Sequence, residues 1–237
     1  MLGAKMNLVK YCKSAHAADA VEKGKIFVGT FSRYKRIEND ALRDAEEGPA
    51  TPAVLDHETD LLISDDDNDS LLAHSSIKLA NGWKLQLPKG LPLWLEQPAF
   101  NTFIYCVSDD SSPSIEKANR LDYDSFFRIT DPFNFGCALM FSLSQHFGSK
   151  FGVKGYMGPV NYVPRKVQVV GRQTPIRPAK SFSTADLFVK HQRFSEDKEV
   201  RYVIFEYSNA NHTQFNSFNI DGEFIENLEI AKWLLKA

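Results

Sequence analysis

The chain has no excess of either charge, no long apolar run and few cysteines, and each shortage closes off a class of function. Its 28 Lys and Arg stand against 30 Asp and Glu, a formal net charge of -2. No global field therefore draws it to nucleic acid, although a local basic groove is compatible with that sum. No stretch approaches the roughly 20 apolar residues that cross a bilayer, and the N-terminus lacks the apolar core of a signal peptide. A cytoplasmic protein without membrane contact is expected. The three cysteines, Cys12, Cys106 and Cys137, are odd in number and far apart, which fits buried thiols in a reducing compartment and neither a disulfide framework nor zinc ligation. Also missing are a glycine-rich phosphate loop before a helix and the spacings of zinc proteases and serine hydrolases. His191 and His212 show no metal-like pairing. Kinase and dinucleotide-fold readings fall with them.

What is present is apolar and aromatic: 43% and 12% of the residues. That is enough for a sizeable core without disulfides or metal, and a single domain over 1–237 is expected. Residues 8–12 read as a strand, 15–23 as a helix capped by Ser14 and ended by Gly24, and 25–30 as a second strand. Cations and acids interleave over 31–48, either as a surface helix with Arg36–Asp40 and Arg43–Glu47 pairs or as a pocket wall whose arginines face a diphosphate. Pro49, Pro52 and the acids of 65–69 predict a flexible acidic insertion near 49–75. Its spacing does not fit a calcium loop.

Asn81-Gly82, flanked by alternating apolar residues, predicts a hairpin over 77–87. A buried strand over 100–107 ends at Ser108, Asp109 and Asp110. Asp131 and Pro132 start a helix that Gly148 closes, with Phe133, Leu139, Met140, Leu143 and Phe147 on its apolar face. His146 on this helix reads as a surface or internally satisfied histidine rather than a catalyst. Strand character over 162–170 is broken by Pro164, a helix is expected over 185–192, and a hairpin over 215–225 precedes a C-terminal helix ending in Trp233, Leu234 and Leu235. Strands outnumber helices, and the fold class is α+β.

The charged knot at 194–199 runs straight into an alternating strand over 200–206. Asp197 and Glu199 are two apart, so if extended geometry begins before Glu199 their carboxylates share a face. Two such acids can divide labour, one steadying a developing cation while the other orients or deprotonates a nucleophile. The alternative is a solvated strand entrance in which Lys198 and Arg201 neutralise the acids.

Lys10 and Tyr11 on the first strand, the run Arg43-Asp44-Ala45-Glu46-Glu47-Gly48 and above all residues 194–201 resemble a bacterial group of uncharacterised domains often associated with phage defence. The layout is also similar to ADP-ribosyltransferase folds, particularly toxins that modify nucleic acid. The resemblance implies an ADP-ribosyltransferase-like fold of central β-sheets with flanking helices, and NAD as substrate. It implies that Glu199 is the catalytic glutamate and Asp197 the residue two before it. Lys10, with Tyr11 beside it, would be the first-strand basic residue. Arg33, Tyr34 and Arg36 would form the NAD loop, and Ser108 the polar residue at the middle strand end. Lys10 stands where arginine or histidine is usual, Asp197 where glutamate or glutamine is, and Val200 where an aromatic is.

The implied activity is a toxin or antiphage effector that transfers ADP-ribose from NAD to a macromolecule, with nucleic acid (RNA or DNA) the preferred acceptor and an antitoxin or chaperone a candidate partner. Arg165, Lys166, Arg172 and Arg177 are candidate backbone contacts, the alternative being a solvated loop. The rival readings are an NAD glycohydrolase, a non-catalytic recognition protein, and a nuclease gathering magnesium on the acids of 65–69.

Overall fold

The computed structural model describes residues 6–36, 53–55, 61–64, 80–89, 93–95, 101–163, 168–170, 187–212, 215–218 and 220–236. The chain divides into two compact units. One comprises Met1–Ala45, Asn101–Tyr162 and Arg193–Ala237, and the other Glu46–Phe100 and Val163–Gln192. The segment 49–75 belongs to the second unit, and its acids at 65–69 lie outside the described residues.

In chain order the elements are β1 (Leu8–Cys12), α1 (Ser14–Lys23), β2 (Lys25–Thr30), α2 (Phe31–Arg36), β3 (Ala53–Leu55), β4 (Leu61–Ser64), β5 (Lys84–Leu87) and β6 (Leu93–Leu95). They continue with β7 (Phe103–Asp109), α3 (Ile115–Arg120), β8 (Ser125–Ile129), α4 (Pro132–Phe147), β9 (Val153–Pro159), β10 (Asn161–Val163), β11 (Gln168–Val170) and β12 (Val189–His191). A 3-10 turn (Gln192–Asp197) leads into β13 (Glu199–Glu206), followed by β14 (Gly222–Glu226), α5 (Leu228–Ala231) and β15 (Leu234–Lys236). The architecture is mixed α and β around a mostly antiparallel central sheet.

That sheet is organised on β7, which is used along both edges. β13 pairs antiparallel with it from Ile204↔Phe103 to Glu199↔Ser108, and β9 continues the sheet beyond β13. The other edge of β7 is shared: Gly29 and Thr30 of β2 pair with Ile104 and Phe103, while Leu8 and Val9 of β1 pair with Asp109 and Ser108. The sheet splits between those two stretches. β14 extends the β2 branch, and β8 then β15 extend the β1 branch.

Strand alternation sends Val200, Tyr202, Ile204, Phe103, Tyr105, Val107, Ile26, Val28 and Leu8 to one face, where Ala17 and Ala20 of α1 and Phe135, Leu139 and Leu143 of α4 complete a buried core. Each fully buried Leu, Ile or Phe stabilises by about 1.5–3 kcal/mol. On the opposite face α3 contributes Ala118 to a smaller cluster with Val9, Tyr11 and Phe126.

Local signals set several boundaries. Asp131 caps α4 by accepting from the Asn134 N–H at 3.0 Å, Pro132 takes the first helical position, and Gly148 ends the helix at φ 59°. α1 differs from expectation: Lys13 is its N-cap, and Ser14 is held instead by Asp124, which accepts its N–H at 2.6 Å. Phe133 is 72% exposed rather than part of the buried face.

In the second unit the Asn81-Gly82 turn is present, with Gly82 at φ 77°. The described partner of β5 is β4, and the expected arm at 77–79 lies outside the described residues. The helix predicted over 185–192 is replaced by the strand Val189–His191 and the 3-10 turn. β14 pairs with β2 rather than with 215–220. At the C-terminus, Leu234 and Leu235 belong to a strand, because the free edge of β8 takes them up in register with Ile129 and Arg128.

Candidate active site

The site starts from a backbone irregularity. Lys198 has φ 44°, a conformation that breaks the chain's direction between the 3-10 turn and β13. Extended geometry therefore begins at Glu199, and Asp197 belongs to the turn. The strand pleat does not align Asp197 with Glu199, contrary to the shared face the spacing suggested. The backbone here is pinned from both sides: the Asp109 N–H donates to the Lys198 carbonyl at 2.9 Å and the Val160 N–H to the Glu199 carbonyl at 2.9 Å. The Glu199 N–H donates to the Tyr162 hydroxyl oxygen at 2.7 Å.

Alternation along β13 places Glu199 and Arg201 on the face opposite α1 and α4. Arg201 Nε lies 2.5 Å from Glu199 Oε1, and the two side chains are 0% and 8% exposed. The guanidinium carbon sits 5.9 Å from the centre of the Phe31 ring. The ion pair is therefore desolvated and bounded by an aromatic face, a setting in which a charge contact is stronger than at a surface.

Ser108 is brought to the same place. It is directly opposite Glu199 across one edge of β7 and opposite Val9 across the other, so its side chain shares the face of Glu199. Tyr11 also points to this face, two residues along β1 from Val9, but its hydroxyl is committed: it donates to Asp110 Oδ2 at 2.7 Å. Burial, then the hydrogen bond to Asp110, raise the Tyr11 phenol well above its ordinary range. Partial burial disfavours the Asp110 charge, yet hydrogen bonds from Lys117, Tyr11 and the Ser112 N–H outweigh it and leave Asp110 below the usual carboxylate value.

Lys10 is not brought to Glu199. It points to the helix-covered face, where its Nζ donates to the Cys106 carbonyl at 2.7 Å and lies 5.1 Å from the Tyr105 ring centre. Cys106 is in the stretch of β7 between the segments paired with β1 and β2, so the ammonium caps a carbonyl at the split in the sheet.

Arg33 and Tyr34 lie over the β2 part of the Glu199 face. Arg33 is exposed with its guanidinium carbon 4.6 Å from the Phe27 ring centre. Tyr34 packs on Gly29, where an added Cβ would come within 2.9 Å of its ring. Arg36 ends α2, and its side chain lies outside what is described. Arg165, Lys166, Arg172 and Arg177 also fall outside the described residues.

Glu199, Arg201 and Ser108 thus form one constellation, with Arg33 and Tyr34 further along the same face and Lys10 behind the sheet. Tyr162 and Phe31 were not singled out from the sequence. Phe31 borders the charged 31–48 segment, a signal that was there to use, whereas the contact of Tyr162 depends on tertiary pairing alone. Among the described residues no group of three or more His, Cys, Asp or Glu is placed to hold a metal ion, and no helix is long and apolar enough to cross a membrane. No family model, curated protein or solved structure matches the chain.

Proposed function

We propose that the protein is an ADP-ribosyltransferase that cleaves NAD at the nicotinamide–ribose bond and passes ADP-ribose to a macromolecule, with nucleic acid as the acceptor. The observation that carries this reading is the carboxylate of Glu199, fixed by Arg201 at the first residue of β13 and sharing its face with Ser108. Breaking the glycosidic bond builds positive charge on the ribose, as in glycoside cleavage. A carboxylate already oriented in a poorly solvated niche stabilises that charge more in the transition state than in the ground state. Arg33 is an exposed cation on the same face that a diphosphate could meet, and Tyr34 is the neighbouring ring for the nicotinamide. Asp197, in the turn, is left to act on the acceptor.

The test is incubation with labelled NAD and, separately, with RNA, DNA and total protein, comparing wild type with Glu199→Gln. Transfer of label to one polymer with a loss of about a hundredfold to a thousandfold in the variant supports the reading. Intact NAD in every reaction overturns it.

A second reading is favoured by the burial of the same pair: Glu199 neutralises a fully buried Arg201, and a recognition protein without turnover needs nothing more of it. On that reading Glu199→Gln lowers thermal stability and changes no NAD chemistry.

A further inference from the structure

The Glu199 face carries a second feature at the far end of β13. The Tyr207 ring stacks with His212, at 4.4 Å and 25°, and with Phe215, at 5.0 Å and 26°. Phe215 rests on Phe205 at 4.7 Å, and Tyr156 meets Phe205 edge-on at 6.0 Å. The stack is tied to the turn after α4 by the Tyr207 N–H, which donates to the Gly152 carbonyl at 3.0 Å. Among the described residues its last ring is His212, which is exposed. The face of the imidazole turned away from Tyr207 is where a further planar ring would continue the stack.

Among the described residues of the neighbouring segments the exposed charges are lysines. Residues 146–157 contain Lys150 and Lys154 and no acid, and both lysines are exposed. Residues 203–218 contain one acid, Glu206, whose Oε2 accepts from Asn216 Nδ2 at 2.7 Å. Rings interleaved with cations match a polymer that alternates aromatic bases with phosphates.

We infer that this surface docks a single-stranded nucleic-acid segment, one unpaired base stacking on His212 while Lys150 and Lys154 contact the flanking phosphates. A duplex is excluded from this mode because its bases are already stacked on one another. Glu199 and Tyr207 are eight residues apart on an extended chain, about 26 Å at about 3.3 Å per residue, so the stack holds the strand at a distance from the proposed chemistry. The inference rests on the proposed transferase only for the use made of the bound strand. Binding itself needs no NAD.

The experiment is fluorescence anisotropy with the full chain in NAD-free buffer, using labelled 12-mers of oligo(rA) and oligo(dT) and a 12-base-pair duplex. Single strands are expected to bind ahead of duplex, and the RNA and DNA arms tell which polymer is preferred. Two phosphate contacts imply about a sevenfold loss of affinity between 50 and 200 mM salt. His212→Ala is expected to weaken binding by about fivefold to a hundredfold and His212→Phe to restore it. Lys150→Glu with Lys154→Glu is expected to abolish the salt dependence. Equal binding of duplex, displacement of the oligonucleotide by NAD, equal binding of an acidic polypeptide, or an unaffected and folded His212→Ala variant would each overturn the inference. Oligonucleotide binding without NAD consumption leaves this site standing and removes the transferase. NAD consumption without oligonucleotide binding does the reverse.

Discussion

Separating the Glu199–Arg201 pair tests how the candidate site is held. Glu199→Ala leaves a fully buried guanidinium without that carboxylate, and Arg201→Met leaves a carboxylate with 8% exposure without that cation. Breaking a buried pair by removing one partner costs about 3–5 kcal/mol. The Phe31 ring, 5.9 Å from the guanidinium, returns at most about 2 kcal/mol as a cation–π contact, so it does not replace the carboxylate. At about 2–4 °C per kcal/mol for a unit of this size, each single variant should lose about 6–20 °C in Tm. The double variant Glu199→Ala/Arg201→Met should lose less than the two single losses combined, because it removes both members of the buried ion pair together. Thermal unfolding followed by circular dichroism, with urea titration for ΔG, measures all four corners of the cycle. Single variants within about 1 kcal/mol of wild type, or strictly additive losses, would refute a desolvated, mutually dependent pair.

Lys10→Met removes the ammonium that caps the Cys106 carbonyl and should cost about 1.5–3 kcal/mol in a urea titration, while NAD cleavage stays at the wild-type rate. Loss of cleavage with unchanged stability would place Lys10 in the chemistry instead. Asp110 has a folded-state pKa below its unfolded value, so its contribution is fully present above the ordinary carboxylate pKa and is lost as pH falls through the depressed one. The Tm gap between wild type and Asp110→Asn should therefore be constant near neutrality and close on acidification below pH of about 4. A gap independent of pH down to the acid transition would contradict this. Burial raises the Cys12 thiol to about 11, against a smaller pull from Lys10, so Cys12 should resist maleimide at pH 8 until the protein unfolds. Mass spectrometry of the labelled native protein reads this directly.

What the sequence made legible was local. Asp131, Pro132 and Gly148 specify the ends of α4 through interactions within a few residues, and the alternation over 200–206 identifies β13. The pairing of Glu199 with Arg201 follows from their separation of two on a strand, but the solvated entrance expected as the alternative is not what forms, since the pair is buried. The separation of Asp197 from that face was not legible. It turns on Lys198 adopting φ 44°, which lysine composition gives no hint of. The position of Lys10 behind the sheet depends on a carbonyl 96 residues away, and no periodicity within β1 reveals which strand covers which part of β7. The C-terminal segment illustrates the same limit: leucines beside a short helix extend it unless a strand edge is free to take them, and β8 has one.

The register of β13 makes the candidate site a by-product of core formation. Both faces of β13 are buried, so a slip of one residue would turn Glu199 and Arg201 into the apolar space beneath α4 and move Val200, Tyr202 and Ile204 out of it. Setting the charged pair among those apolar side chains, away from its present partners, costs several kcal/mol per ion, a large share of the total stability of an ordinary domain. The apolar residues therefore fix where the charged ones point. Ser108 gains from the same constraint on both sides, since β13 and β1 each set a register partner for it. Ser108 needs no polar network to choose its face, whereas Glu199 serves folding as well, through its buried contact with Arg201.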